Sequence, residues 1–172
     1  MAGNDIFCKL YSAWEKDGSL IYQNNNAGAI LSSTPVVPGQ LIIFPKRHIT
    51  DLGDFRGEEG TDLFRAFPES FDALRDLYES DLDRIVGFYE RLKEHPPFPA
   101  AGVKGEEMLK HPELVVSPLN YDSRDSLGTQ SFNIGVNMGY DAGQRIDHLH
   151  FHLFPRRNSG LGINSAMEDH LN

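Results

Sequence analysis

Three histidines alternate with apolar residues near the end of the 172-residue chain. They are His148, His150 and His152, and a single leucine or phenylalanine lies between each pair. Because successive side chains of a β-strand point to opposite faces, this spacing predicts that the three imidazoles share one face. Imidazole titrates near neutral pH and can act as a nucleophile, an acid, a base or a hydrogen-bond donor. The histidine row therefore indicates a catalytic site, with metal binding by the same three residues as an alternative.

The segments around the histidine row predict an α+β domain. Apolar runs and period-two alternation indicate five strands, at residues 20–22, 29–31, 41–44 and 131–137 and along the histidine row, where Pro155 limits the last strand. Helical periodicity runs through residues 70–93, a shorter helix is expected at 61–67, and residues 5–10 are too short a run to assign. This order predicts an antiparallel sheet of about five strands with a long helix packed on one face. In that arrangement the histidines face the open side of the sheet.

Length, charge and composition indicate one domain, at residues 1–172, that acts on small molecules. Residues 94–129 show no sustained period and are interpreted as an extended insertion, and the Gly- and Ser-rich tail from about residue 158 is expected to be flexible. The net charge of −9 argues against binding to DNA or RNA, which requires a basic surface. A single cysteine, Cys8, and the lack of a signal-like or membrane-spanning apolar run favour a cytoplasmic protein.

Two segments resemble the histidine-triad (HIT) family of nucleotide-binding proteins. Residues 132–156 combine the histidine row with an Ala-Gly-Gln lead-in that ends at Gln144, and residues 34–48 contain a Pro-Val-Val-Pro-Gly turn before a strand and His48. The resemblance covers most of residues 5–52 and 131–157. It implies a HIT-like fold and hydrolysis at the α-phosphorus of nucleoside 5′-phosphate derivatives, with no cofactor and no metal at the active site. It also implies a homodimer.

The resemblance assigns roles to individual residues. His150 would attack phosphorus and form a transient nucleotidyl-histidine, which agrees with the competence of neutral imidazole as a nucleophile. His148 and His152 would hydrogen-bond the phosphate or hold the tautomer of the nucleophile. The other implied phosphate contacts are Asn137, Gly143, Gln144 and His48.

Several positions depart from the family pattern. Ser32 stands where the family usually has Asp or Asn to hold the ribose hydroxyls. Arg145 stands where the family has Ser or Thr, and it would either grip an additional phosphate or point to solvent. Asp5 replaces the first cysteine of a Cys-x-x-Cys pair found in some members, so a structural zinc through that pair is not expected. Three apolar residues match positions that form the walls of the base pocket in the family, namely Ile6, Phe7 and Ile30. Packing in the hydrophobic core would explain their apolar character equally well.

The sequence leaves the substrate open between dinucleoside polyphosphates and nucleoside phosphoramidates. His152 counts against a nucleotidyltransferase, because the transferase branches of the family carry glutamine at the third position of the row. Two alternative functions also remain, namely a nucleotide-binding regulatory protein with little turnover and a metal-binding protein that uses the histidine row.

Overall fold

The computed structural model describes residues 5–33, 39–81, 83–85, 87–88 and 131–155. The helices and strands are α1 (Ile6–Asp17), β1 (Leu20–Gln23), β2 (Ala27–Leu31), β3 (Leu41–Pro45), α2 (Glu59–Ser80), β4 (Phe132–Val136) and β5 (Phe151–Pro155). The predicted α+β class is confirmed. The insertion at 94–129 and the tail from 158 lie outside the described residues. Neither described helix is long and apolar enough to cross a membrane.

The five strands form one antiparallel sheet in the order β1-β2-β3-β5-β4. Strand β5 lies between β3 and β4, so its residues are held by hydrogen bonds on both sides. In the register with β3, Ile42 lies opposite His152 and Ile43 lies opposite Phe151. The last strand of the sequence therefore occupies an internal position in the sheet, which fixes the side chains that it carries.

Helix α2 packs against one face of the sheet and contributes five buried residues to the larger core. Leu63, Phe67 and Leu74 of α2 are buried in this core with residues of the strands. The two helices predicted at 61–67 and 70–93 are one helix as far as Ser80, and it includes Pro68. Proline cannot donate the hydrogen bond of a helix interior. The helix nevertheless continues, because its apolar stripe extends on both sides of Pro68 and burial outweighs one lost bond.

Helix α1 covers part of the opposite face, so the prediction that the histidines face an open side was wrong. Phe7 of α1 is 4% exposed and stacks on Phe44 of β3 with ring centroids 4.7 Å apart. Tyr11 and Trp14, four and seven residues further on, pack on the same cluster. This i, i+4, i+7 stripe is typical of an amphipathic helix. The helix ends at Gly18, whose φ of 75° is a left-handed conformation favourable to glycine.

Candidate active site

The histidine row enters the sheet later than predicted. Strand β5 begins at Phe151, so His148 and His150 precede it and only His152 lies within the strand. The Leu149 N–H donates to the Ile49 carbonyl at 2.6 Å, beyond the end of β3, and so this part of the chain has left the sheet ladder. The alternation of faces continues all the same. The apolar residues of the row enter the α2 core, whereas the histidines contact the α1 side.

His150 is held as a neutral imidazole with one free nitrogen lone pair. Its Nδ1 lies 2.8 Å from the backbone carbonyl oxygen of His148. A carbonyl can only accept, so Nδ1 carries the proton and the lone pair is on Nε2. Burial lowers the pKa of His150, and the charge of His148 acts in the same direction, although the hydrogen bond to the His148 carbonyl opposes the shift. At neutral pH the ring therefore presents Nε2 as a nucleophile.

Both ring nitrogens of His148 face hydrogen-bond acceptors. Nε2 donates to the Pro45 carbonyl at 2.8 Å, and Nδ1 lies 3.1 Å from Oδ1 of Asp5. Because the N–H of a neutral His148 is on Nε2, its Nδ1 lone pair faces Oδ1 of Asp5 and the Cys8 Sγ, which lies 3.7 Å away and could donate to it or share a metal ion with it. The His148 side chain is 1% exposed, so its polar contacts are with buried groups such as the Asp5 carboxylate and the Pro45 carbonyl.

Asp5 joins the start of α1 to two histidines. Its Oδ1 accepts from the N–H groups of Phe7 and Cys8, which caps the helix, and its Oδ2 lies 2.9 Å from Nδ1 of His48. Burial opposes ionisation of this carboxyl. Hydrogen bonds from Cys8 and His148 and the charge of His148 outweigh burial, and they hold the pKa of Asp5 well below its usual range.

Asp5, Cys8, His48 and His148 form a group that we call the Asp5 cluster. Their ligand atoms all lie within 4.8 Å of one another, and the Cys8 Sγ is 3.8 Å and 3.7 Å from the two histidine Nδ1 atoms. A carboxylate, a thiol and two imidazoles are a donor set that suits tetrahedral zinc. The bond from His148 Nε2 to a backbone carbonyl is the support that metal-bound histidines usually have.

The Asp5 cluster differs from the sequence-based expectation about metals. That expectation rests on Asp5, which stands in place of the first cysteine of a Cys-x-x-Cys pair. In the structure the rings of His48 and His148 are 5.3 Å apart, and the carboxylate of Asp5 lies beside both. A zinc ion held here would tie α1 to the two histidines. His150 and His152 are not members of the cluster.

The loop before the histidine row contains three of the four further residues expected to contact phosphate, whereas His48 lies in the Asp5 cluster. Asn137 directly follows β4, and its Nδ2 is 3.5 Å from the position that a Cβ on Gly143 would take. Gly143 has a φ of 92°, which a larger residue rarely adopts. The side chain of Gln144 accepts from the Gly139 N–H at 2.7 Å and donates to the Ile146 carbonyl at 3.0 Å. In this conformation Gln144 therefore braces the loop.

Arg145 is bound to its own loop. Its Nη1 donates to the backbone carbonyls of Tyr140 at 2.8 Å and Gln144 at 3.1 Å. The guanidinium also lies over the Tyr140 ring, 4.4 Å from the centroid. The sequence left two alternatives for Arg145, namely contact with an additional phosphate or a side chain that points to solvent. In the structure the side chain is exposed, and its guanidinium also stabilises the loop.

The residues expected around the base and the ribose occupy different environments. Phe7 lies close to the nucleophile, with its ring centroid 5.4 Å from that of His150. Ile30 is half-buried and packs with Phe7, whereas Ile6 is 36% exposed. Ser32 is buried just after β2, and its N–H donates to the backbone of the segment before β3. The structure thus brings Phe7 to the histidines and leaves Ile6 at the surface.

Gln40 is a contact of the histidine row that the sequence reasoning missed. It is 2% exposed, and its Nε2 lies 3.1 Å from Nδ1 of His152. A signal for it was present in the sequence. Gln40 is two residues before Ile42 and therefore shares a strand face with it, and a buried polar residue at that position needs a partner on the same face.

Comparison with known proteins agrees with the fold. A family model described as the HIT domain matches residues 13–159, which is most of the chain. The chain belongs to the HIT family. Among the relatives of this HIT protein, the "Protein hit" of Bacillus subtilis is 24% identical over 169 residues, covering 98% of this chain and 82% of that protein.

Two further comparisons concern an enzyme and a fold. The asymmetrical bis(5′-nucleosyl)-tetraphosphatase of Schizosaccharomyces pombe is 19% identical over 161 residues, covering 94% of this HIT protein and 62% of that enzyme. This chain therefore spans less than two thirds of the length of the enzyme. A solved structure of a HIT family member from Bacillus subtilis covers 99% of both chains, with a TM-score of 0.53 and 21% identity. It shows the same fold.

Proposed function

We propose that this HIT protein hydrolyses nucleoside 5′-phosphate derivatives by attack of His150 on the α-phosphorus. The observation that carries the proposal is the hydrogen bond from His150 Nδ1 to the His148 carbonyl, which leaves the lone pair on Nε2. Dinucleoside polyphosphates and nucleoside phosphoramidates are the two candidate substrate classes. The name of the Schizosaccharomyces pombe relative supports the first class.

The reaction has two displacements at phosphorus. In the first, the Nε2 lone pair of His150 forms a P–N bond while the bond from phosphorus to the leaving group breaks, and the leaving group takes a proton from solvent. The phosphorylated ring still carries its Nδ1 proton and is therefore cationic. The His148 carbonyl accepts from that N–H, so it stabilises the positive charge as it develops. In the second displacement water attacks phosphorus, the electron pair returns to Nε2, and the water proton is released.

The remaining residues of the site bind and orient the substrate in this proposal. His152, whose ring centroid is 5.2 Å from that of His150, donates to a phosphoryl oxygen. Asn137 and the backbone at Gly143 contribute further donors from the loop, because backbone N–H groups in such turns bind anions. Phe7 offers an apolar surface beside His150 for the base or ribose.

A turnover screen tests the proposal. Diadenosine polyphosphates and adenosine phosphoramidates are compared with wild type, His150→Asn and the control Phe64→Ser, which changes a 63% exposed residue of α2. We expect His150→Asn to lower turnover by about 10³-fold or more, because it removes the covalent route. The control should retain wild-type activity. Nucleotide binding without turnover by wild type would contradict the proposal and favour a regulatory binding protein.

A further inference from the structure

The side-chain amide of Gln40 is placed by the strand register to contact one histidine of the row. Ile42 of β3 lies directly opposite His152, and Gln40 is on the same face two residues earlier. Diagonal neighbours on one face of an antiparallel pair are within reach of a long side chain. The backbone carbonyl of Gln40 accepts a hydrogen bond from the Ser32 N–H at 2.8 Å, so the backbone of Gln40 is also held in place.

The contact between Gln40 and His152 determines which ring nitrogen carries the proton. The amide Nε2 of Gln40 has only protons to offer, so His152 Nδ1 accepts with its lone pair across 3.1 Å. The proton of a neutral His152 is then on Nε2. An amide does not titrate, so Gln40 cannot take a proton from Nδ1 or pass one to it. His152 is thereby fixed as a donor.

We infer that Gln40 is a positioning residue that holds His152 in the Nε2–H tautomer, so that its N–H donates to the phosphoryl group attacked by His150. The inference rests on the proposed function for the phosphoryl group, but the tautomer itself does not depend on any substrate. The rings of His150 and His152 are 5.2 Å apart in an edge-to-face arrangement. A phosphoryl group on His150 Nε2 would therefore lie within hydrogen-bond reach of His152.

The experiment compares Gln40→Met, which keeps length and removes the donor, with Gln40→Glu, which keeps the shape and offers only acceptor oxygens. Gln23→Met is the matched control, because Gln23 is an exposed glutamine of β1. Long-range ¹H–¹⁵N NMR spectra of the imidazoles report the tautomer of His152 without substrate. We expect Nε2–H in wild type and Gln23→Met, a mixture of tautomers in Gln40→Met, and a proton on Nδ1 in Gln40→Glu.

Kinetics give the second readout, with the substrate that wild type turns over. The usual energy of one neutral hydrogen bond predicts that kcat falls by about 3-fold to 10-fold in Gln40→Met. The KM should change little. The effect should disappear when the same change is made in His152→Ala. An unchanged tautomer in Gln40→Met, or a loss of kcat that persists in His152→Ala, would show that Gln40 only packs. If no nucleotide substrate is found, the proposed function fails, but the NMR spectra still decide whether Gln40 sets the tautomer of His152.

Discussion

Replacement of Asp5 by alanine should destabilise the protein more than the loss of a helix cap alone. Asp5 caps α1 and also faces Nδ1 of His148, a side chain that is 1% exposed. Removal of a cap costs about 1 kcal/mol, and an unpaired buried hydrogen-bonding group costs about 1–3 kcal/mol. We therefore expect Asp5→Ala to lower the free energy of unfolding by about 3 kcal/mol and Tm by about 6–12 °C.

Asp51→Ala is the matched control for this experiment. Asp51 caps a short 3-10 turn through a bond from the Gly53 N–H at 2.7 Å, and it is exposed. Its loss should cost only about 1 kcal/mol. Thermal and urea denaturation of both variants, measured with chelator present, give the comparison. If Asp5→Ala is no more destabilising than Asp51→Ala, then the contacts of Asp5 with the histidines contribute nothing to stability.

Three further predictions concern metal, pH and Arg145. Zinc at about 100 times its Kd should raise Tm by about 5–10 °C in wild type and by much less in His48→Ala, whereas turnover should survive addition of a chelator. If elemental analysis finds no bound zinc, the Asp5 cluster is not a zinc site. Because burial lowers the pKa of His150 from 6.5, the nucleophile stays neutral as pH falls, and kcat/KM should decline only below that value; a decline centred above it would contradict this. Arg145→Ser should reduce activity a few-fold on both substrate classes, since Arg145 braces the loop through Tyr140; a selective loss on polyphosphates would indicate ligand contact.

The face of each histidine could be predicted from sequence, because alternation is a local property of extended chain. His150 and His152 lie on the face opposite to Phe151, as the spacing predicts. The start of β5 could not be predicted, since it depends on pairing. The ladder with β3 begins at Phe151 opposite Ile43, and before that point the chain bonds to Ile49.

The Asp5 cluster could not be predicted from local patterns. The contacts of Asp5 with His48 and His148 span 43 and 143 residues of sequence. Only the position of α1 on the histidine face brings these residues together. Part of that position was detectable, because Asp5 is a favourable cap and Gly18 a favourable end for a helix. The face of the sheet on which α1 packs is known only from the tertiary structure.

The central claim is that His150 forms a covalent nucleotidyl intermediate. The most direct test is rapid denaturing quench during turnover, followed by intact-protein mass spectrometry at alkaline pH. The account predicts that wild type gains the mass of one nucleotidyl group, which is a nucleoside monophosphate less one water, that peptide mapping places it on His150, and that His150→Asn gains none. Turnover by wild type without this adduct at any time point, together with activity retained in His150→Asn, would contradict the account.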